Sequence, residues 1–134
     1  MIQVTPQMRI LLATEPADFR NGMDGLGRLC REVLAEEPFS GAVFGFRNRR
    51  STAVKLLVYD GRGFWLCHMR LSEGRLGWWP RAGEDGAKGQ ELASYELSVL
   101  LAGGDPRQAR GKPAWRPVQP RVAARATRES APPA

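Results

Sequence analysis

The chain has 134 residues, 43% of them hydrophobic and 25% charged, and a formal net charge of +6. That length supports one buried core and excludes two domains of ordinary size, and no apolar run reaches the roughly 18 residues a membrane helix needs. Two cysteines, Cys30 and Cys67, and a single histidine, His68, provide no metal-ligand spacing, so no metal site or cofactor is expected.

The charge is unevenly placed. Residues 1–46 carry four arginines against six carboxylates, whereas residues 47–75 and 105–134 each carry seven cations against two carboxylates. Cations gathered in two segments point to a polyanionic partner more than the same charge spread evenly would.

In chain order, the opening stretch MIQVTPQMRILLATE has only a short apolar patch and lacks the basic start of a secretory signal. It reads as the beginning of a cytoplasmic protein. Arg9 to Thr14 reads as a strand, and Asp18 to Gly22 as a turn able to cap a helix. From Met23 the apolar residues recur at Leu26, Leu29, Cys30, Val33 and Leu34, the spacing of an amphipathic helix that Pro38 ends. Both cysteines lie in apolar patterns and are expected to be reduced and buried.

The period then changes to two. Phe44 and Phe46 share a face of one strand, Val54, Leu56 and Val58 of the next, and Trp65, Cys67, Met69 and Leu71 of a third. Asp60-Gly61 marks the turn between the last two. The predicted sheet is apolar on one face, covered by the 23–35 helix, and mainly basic on the other, which carries Arg47, Lys55, His68 and Arg70. Leu57 and Leu66 fall on the basic side and are expected to pack under a neighbouring segment. Trp65 is expected in the core, and one of the adjacent Trp78 and Trp79 at the surface.

Arg81 to Lys88 is a polar, Gly-rich loop. Leu92 to Leu101 reads as a second helix stopped by Gly103-Gly104. The last thirty residues hold six of the ten prolines and read as a disordered basic tail. The predicted architecture is one α+β domain over residues 1–104, an antiparallel β-meander of three to five strands covered by one or two helices, with a tail over 105–134.

No triad, nucleophile elbow or phosphate-loop motif is present, and Asp60 and Asp18 are explained by turn and cap positions. The residues therefore read as a non-enzyme with no small-molecule substrate. A basic hairpin face built from Arg47, Arg49, Arg50, Lys55, Arg70 and Arg75 is the candidate nucleic-acid surface, with Trp78 and Trp79 as candidate partner contacts.

The blocks "DFRNGMDGL", "EPFSGAVFGFRNRR", "KLLVYDGRGFWLCHMRL", "EGRLGWWP" and "YELSVLLAGGD" follow in order, and together they resemble the TnpB accessory proteins of insertion-sequence family 66. The matching positions are Asp18, Arg20, Gly22, Asp24, Gly25 and Leu26, then Pro38 to Gly41 with Phe46, Arg47, Arg49 and Arg50. They continue through Lys55, Leu57, Asp60, Gly61 and Gly63 to Arg70, Leu71, Gly74, Arg75, Trp79 and Pro80. The chain departs at Asn21 and Met69, where the family has basic residues. The resemblance implies a non-catalytic, auxiliary part in transposition beside a separate transposase. DNA and the transposase are the expected partners, and a pure protein adaptor is the alternative.

Overall fold

In the computed structural model, which describes residues 5 and 7–109, an open five-stranded sheet forms the centre. The strands are β1 (Ile10–Ala13), β2 (Val43–Arg47), β3 (Ala53–Tyr59), β4 (Phe64–Arg70) and β5 (Gly89–Leu92). Their spatial order is β4-β3-β2-β1-β5. β2, β3 and β4 form the expected antiparallel meander, while β1 joins β2 in parallel and β5 antiparallel, so the sheet is mixed. The β1–β2 connection runs through helix α1 (Met23–Glu32), as a parallel pairing requires a long crossover.

Register decides what each face carries. Phe44 pairs with Leu57 and Phe46 with Lys55, and across the next ladder Leu57 pairs with Leu66 and Lys55 with His68. Phe44 and Phe46 therefore share a face with Lys55, Leu57 and Leu66, not with Val54, Leu56 and Val58. A one-residue difference in pairing exchanges the faces, and here it overturns the expectation of one apolar and one basic side. Both faces are covered.

On the first face Leu26 and Cys30 of α1, with Leu34 just beyond the helix, pack against Leu11, Phe44, Phe46 and Leu57, and Leu66 packs at the margin. On the second, Trp79 and the Leu97 and Leu100 side chains of α2 (Ser94–Leu101) cover Ile10, Leu12, Val43, Val54 and Val58. Gly45 lies on this second face, where an added Cβ would meet the Leu12 and Leu56 methyls. Leu57 and Leu66 thus do pack under a neighbour, and the neighbour is α1.

Local chemistry sets the ends of the elements. The α1 helix starts after Gly22 without a side-chain cap, because Asp18 is engaged elsewhere. Its C-terminus closes with the Glu36 N–H bonded to the Cys30 carbonyl around Ala35 at φ 54°. A single 3₁₀ turn, Pro38–Ser40, leads into β2.

The segment read as the start of the second helix is instead strand β5, held by Ile10↔Leu92 pairing. Helix α2 begins only at Ser94, where Glu96 accepts the Ala93 N–H at 2.8 Å. Residues 105–109 belong to a second unit that begins at Asp105. There, Asp105 accepts the Arg107 N–H at the head of a one-turn helix α3 (Pro106–Ala109), although the sequence reads as tail. The rest of the expected tail lies outside the described residues.

Candidate nucleic-acid interface

Two stretches that are far apart in the sequence meet at one end of the sheet. The β2–β3 turn, residues 48–52, is built by Asn48, whose Oδ1 accepts the Thr52 and Ala53 N–H groups and whose amide donates to the Thr52 hydroxyl. Ser51 sits there at φ 58°. The Leu71 N–H reaches the Thr52 carbonyl and the Leu76 N–H the Ser51 carbonyl, at 2.9 and 2.8 Å. These two bonds fold the 71–76 loop back onto the turn. Arg75, within that loop, is thereby brought to the same end of the sheet as Arg49 and Arg50, where Arg70 already stands opposite Ala53 in the β3–β4 ladder.

On the other side of the turn the Ala17 N–H bonds to the Arg47 carbonyl, docking the Asp18–Arg20 segment. Pro16, Ala17, Asp18, Phe19, Asn48, Arg49 and Arg50 line a shallow cleft of about 320 Å³ between the two stretches.

Cations outnumber carboxylates at this end, where Asp18 in the cleft and Glu73 in the 71–76 loop are the acidic residues. Arg49, Arg50, Arg70 and Arg75 are exposed, and none has a hydrogen-bond or ion-pair partner among the described residues. Arg47 is half-buried. Its Nη1 donates to the Asn48 carbonyl and the Ser51 hydroxyl, while its Nε is buried without a partner among the described residues. Burial depresses the Arg47 pKa, and the charges of Arg81 and Arg49 push it the same way. Of the other arginines, Arg9 bridges Glu36 and Glu91, Arg20 grips Asp18, and Arg31 pairs with Glu37, whereas Arg28, Arg62 and Arg81 make no ion pair among the described residues. The Arg20 guanidinium and backbone N–H together hold the Asp18 carboxyl down at about 2.

The expected site residues do not all belong here. Lys55 is only 6% exposed, and its Nζ donates to the Phe19 and Asn21 carbonyls at 2.9 Å each, 5.0 Å from the centre of the Phe19 ring. It lies beneath the 18–22 loop because its partner across β2 is the buried Phe46. It is not part of the exposed basic surface.

Trp79 is 7% exposed, with its indole N–H bonded to the Ala13 carbonyl at 2.7 Å, so it is a core anchor with little surface for a partner. Trp78 is half-buried against the same core, so neither member of the adjacent pair stands fully at the surface. Trp65, expected in the core, is 41% exposed because β4 is an edge strand, and its indole donates to Asp60 Oδ2 at 2.6 Å. Asp60 itself caps its turn, accepting the Arg62 and Gly63 N–H groups.

Arg81 is a further cation near enough to act on Arg47, and it belongs to a segment that reads as an ordinary loop. Among the described residues no group of three His, Cys, Asp or Glu side chains could hold a metal ion. No helix among them is long and apolar enough to cross a membrane.

The family model described as IS66 Orf2 like protein matches residues 8–111, which takes in both the turn and the docked 16–20 segment. The chain belongs to the IS66 Orf2-like family. Two uncharacterized proteins of Sinorhizobium fredii strain NGR234, y4jC and y4hO, are each 35% identical to it over 119 residues, covering 89% of this chain and 98% of theirs. No solved structure matches. Membership gives this IS66 Orf2-like protein an accessory part in the transposition of an IS66 element.

Proposed function

We propose that this IS66 Orf2-like protein is a non-catalytic accessory factor that holds the element's DNA by its phosphates, through Arg49, Arg50, Arg70 and Arg75. The observation that carries the reading is the gathering of four exposed guanidinium groups at one end of the sheet, none with an ion-pair partner among the described residues. Cations left exposed and mutually repelling gain most from an anion that meets several of them together. Guanidinium suits that task, since its planar fork matches phosphate geometry. The cleft beside Arg49 and Arg50 gives a backbone a place to lie.

The test is binding of the purified protein to duplexes carrying the element's ends, followed by fluorescence anisotropy at several salt concentrations. Arg49→Ala with Arg50→Ala leaves the core untouched, as neither side chain packs in it. Each phosphate contact contributes roughly 0.9 to the slope of log affinity against log salt, so the double variant should lose affinity and flatten that slope by about two. An unchanged slope would overturn the DNA reading.

A second reading, in which the protein docks the transposase, is favoured by one feature at the opposite end of the sheet. Phe39, Tyr59 and Phe64 cluster there with tilted to edge-on rings whose centres lie 4.9–5.2 Å apart, and Phe39 is 50% exposed. Under that reading the arginine variant keeps its partner affinity, and Phe39→Ser loses it.

A further inference from the structure

The two edges of the sheet differ. The β5 edge is four residues long and carries Glu91, tied to Arg9, which is the short, charged kind of edge that resists further pairing. The β4 edge, Phe64–Arg70, is seven residues long, contains no proline, and has β3 as its only ladder partner among the described residues. Its one formally charged residue is Arg70, at its end. Nothing along it discourages another strand.

The hydrogen-bond phase of this edge can be read. The Asp60 N–H bonds to the Gly63 carbonyl and the Leu71 N–H to the Thr52 carbonyl. Alternation along an antiparallel ladder then directs the backbone groups of Trp65, Cys67 and Met69 to β3. Those of Phe64, Leu66, His68 and Arg70 face away from it.

We propose that β4 pairs antiparallel with β4 of a second copy of this chain about a two-fold axis through Cys67, continuing the sheet across the dimer. The choice of occupant rests on the self-complementarity of the strand in this register. A two-fold axis normal to the sheet keeps like faces together, and with Cys67 opposite Cys67 all seven residues of β4 are paired. Phe64 then faces Arg70 of the second copy, Trp65 faces Met69, and Leu66 faces His68. The outward-facing backbone groups are the ones that become bonded.

Each cross-strand pair is favourable or neutral: a guanidinium on an aromatic face, a thioether on an indole, an aliphatic side chain beside an imidazole. The two Arg70 side chains stand six residue steps apart, about 20 Å at strand rise, beyond the screening length at physiological salt. Shifting the axis to Leu66 would set Arg62 against Arg70, two like charges directly opposed.

The axis makes Cys67 a built-in reporter. In this register the two Cys67 residues form a non-hydrogen-bonded pair with Cα atoms about 4.5 Å apart, within the span of a disulfide. Cys30 is fully buried, and burial pushes its thiol up to about 12. It is therefore chemically silent, whereas Cys67 is partly exposed.

The full-length protein, run at tens of micromolar on size exclusion with light scattering, is expected at twice its 14.8 kDa. Treatment with diamide, which takes the two electrons and two protons from the paired thiols, should give a covalent dimer that reductant reverses. Cys67→Ser should remain a dimer and lose the cross-link, and Cys30→Ser should keep both. His68→Pro deletes an N–H that β3 does not use and is expected to leave a folded monomer by circular dichroism. A wild-type protein that stays monomeric overturns the proposal. So does a wild-type dimer that diamide fails to link through Cys67.

Discussion

Lys55→Met retains most of the buried stem and deletes the ammonium that ties β3 to the 18–22 loop. In the native protein that ammonium makes two hydrogen bonds of 2.9 Å, to the Phe19 and Asn21 carbonyls, and sits over the Phe19 ring. Hydrogen bonds to charged groups contribute about 1.5–3 kcal/mol each. The desolvation that the buried charge no longer suffers offsets part of this, leaving a net loss of about 2–4 kcal/mol.

For a domain of this size each kcal/mol corresponds to roughly 4–8 °C, so Tm should fall by about 8–30 °C, read by circular dichroism. At a temperature where the variant is still folded, the salt slope of its DNA binding should match that of the wild-type protein, because the ammonium is buried. The Arg49/Arg50 double variant should show the converse, an unchanged Tm and a flatter slope. A Lys55→Met protein that melts within a degree or two of wild type, or that loses a unit of salt slope, would refute the assignment of Lys55 to the interior.

Gly45→Ala drives a Cβ into Leu12 and Leu56 and should cost about 1–3 kcal/mol by overpacking, measured by urea denaturation. Trp79→Phe keeps the aromatic bulk but leaves the Ala13 carbonyl without its 2.7 Å donor, a loss of about 1–3 kcal/mol in the same assay. The Asp60 carboxyl is held below the usual carboxylate range, first by the Trp65 indole and then by the Arg62 and Gly63 N–H groups. The folded state thus favours its ionised form. That contribution is complete above the unfolded-chain value and is lost as pH falls through the lowered one. The Trp65 indole N–H resonance should therefore hold its position through the ordinary aspartate range and move only at lower pH. Asp60→Asn should shift that resonance at neutral pH while leaving accessory activity in a transposition assay intact. Removing residues 105–134 should leave Tm unchanged and weaken binding to any duplex by a similar factor; a truncated chain that fails to fold would place the tail in the core.

The local elements were legible in the sequence because their causes are local. The helix from Met23 follows from apolar residues at helical spacing, the meander from alternation on either side of Asp60-Gly61, and the second helix from the leucines before Gly103. The family blocks were equally plain. Pairing was not, since it depends on residues far apart in the chain. Alternation states which residues of one strand share a face, but not which face of the neighbouring strand continues it, and Phe46 opposite Lys55 reversed the expected sides. With both faces covered, a lysine on a strand reads as surface until the 18–22 loop closes over it and supplies two carbonyls. The Gly89–Leu92 strand has too few residues to show a period, and it exists because β1 offers an edge. Trp65 reads as core from its pattern and is exposed because β4 ends the sheet. The arginines of the 47–50 turn were visible as charge from the start. Only the β3–β4 register, which sets Arg70 opposite Ala53, and the two bonds that fold the 71–76 loop onto that turn brought Arg70 and Arg75 to the same end of the sheet.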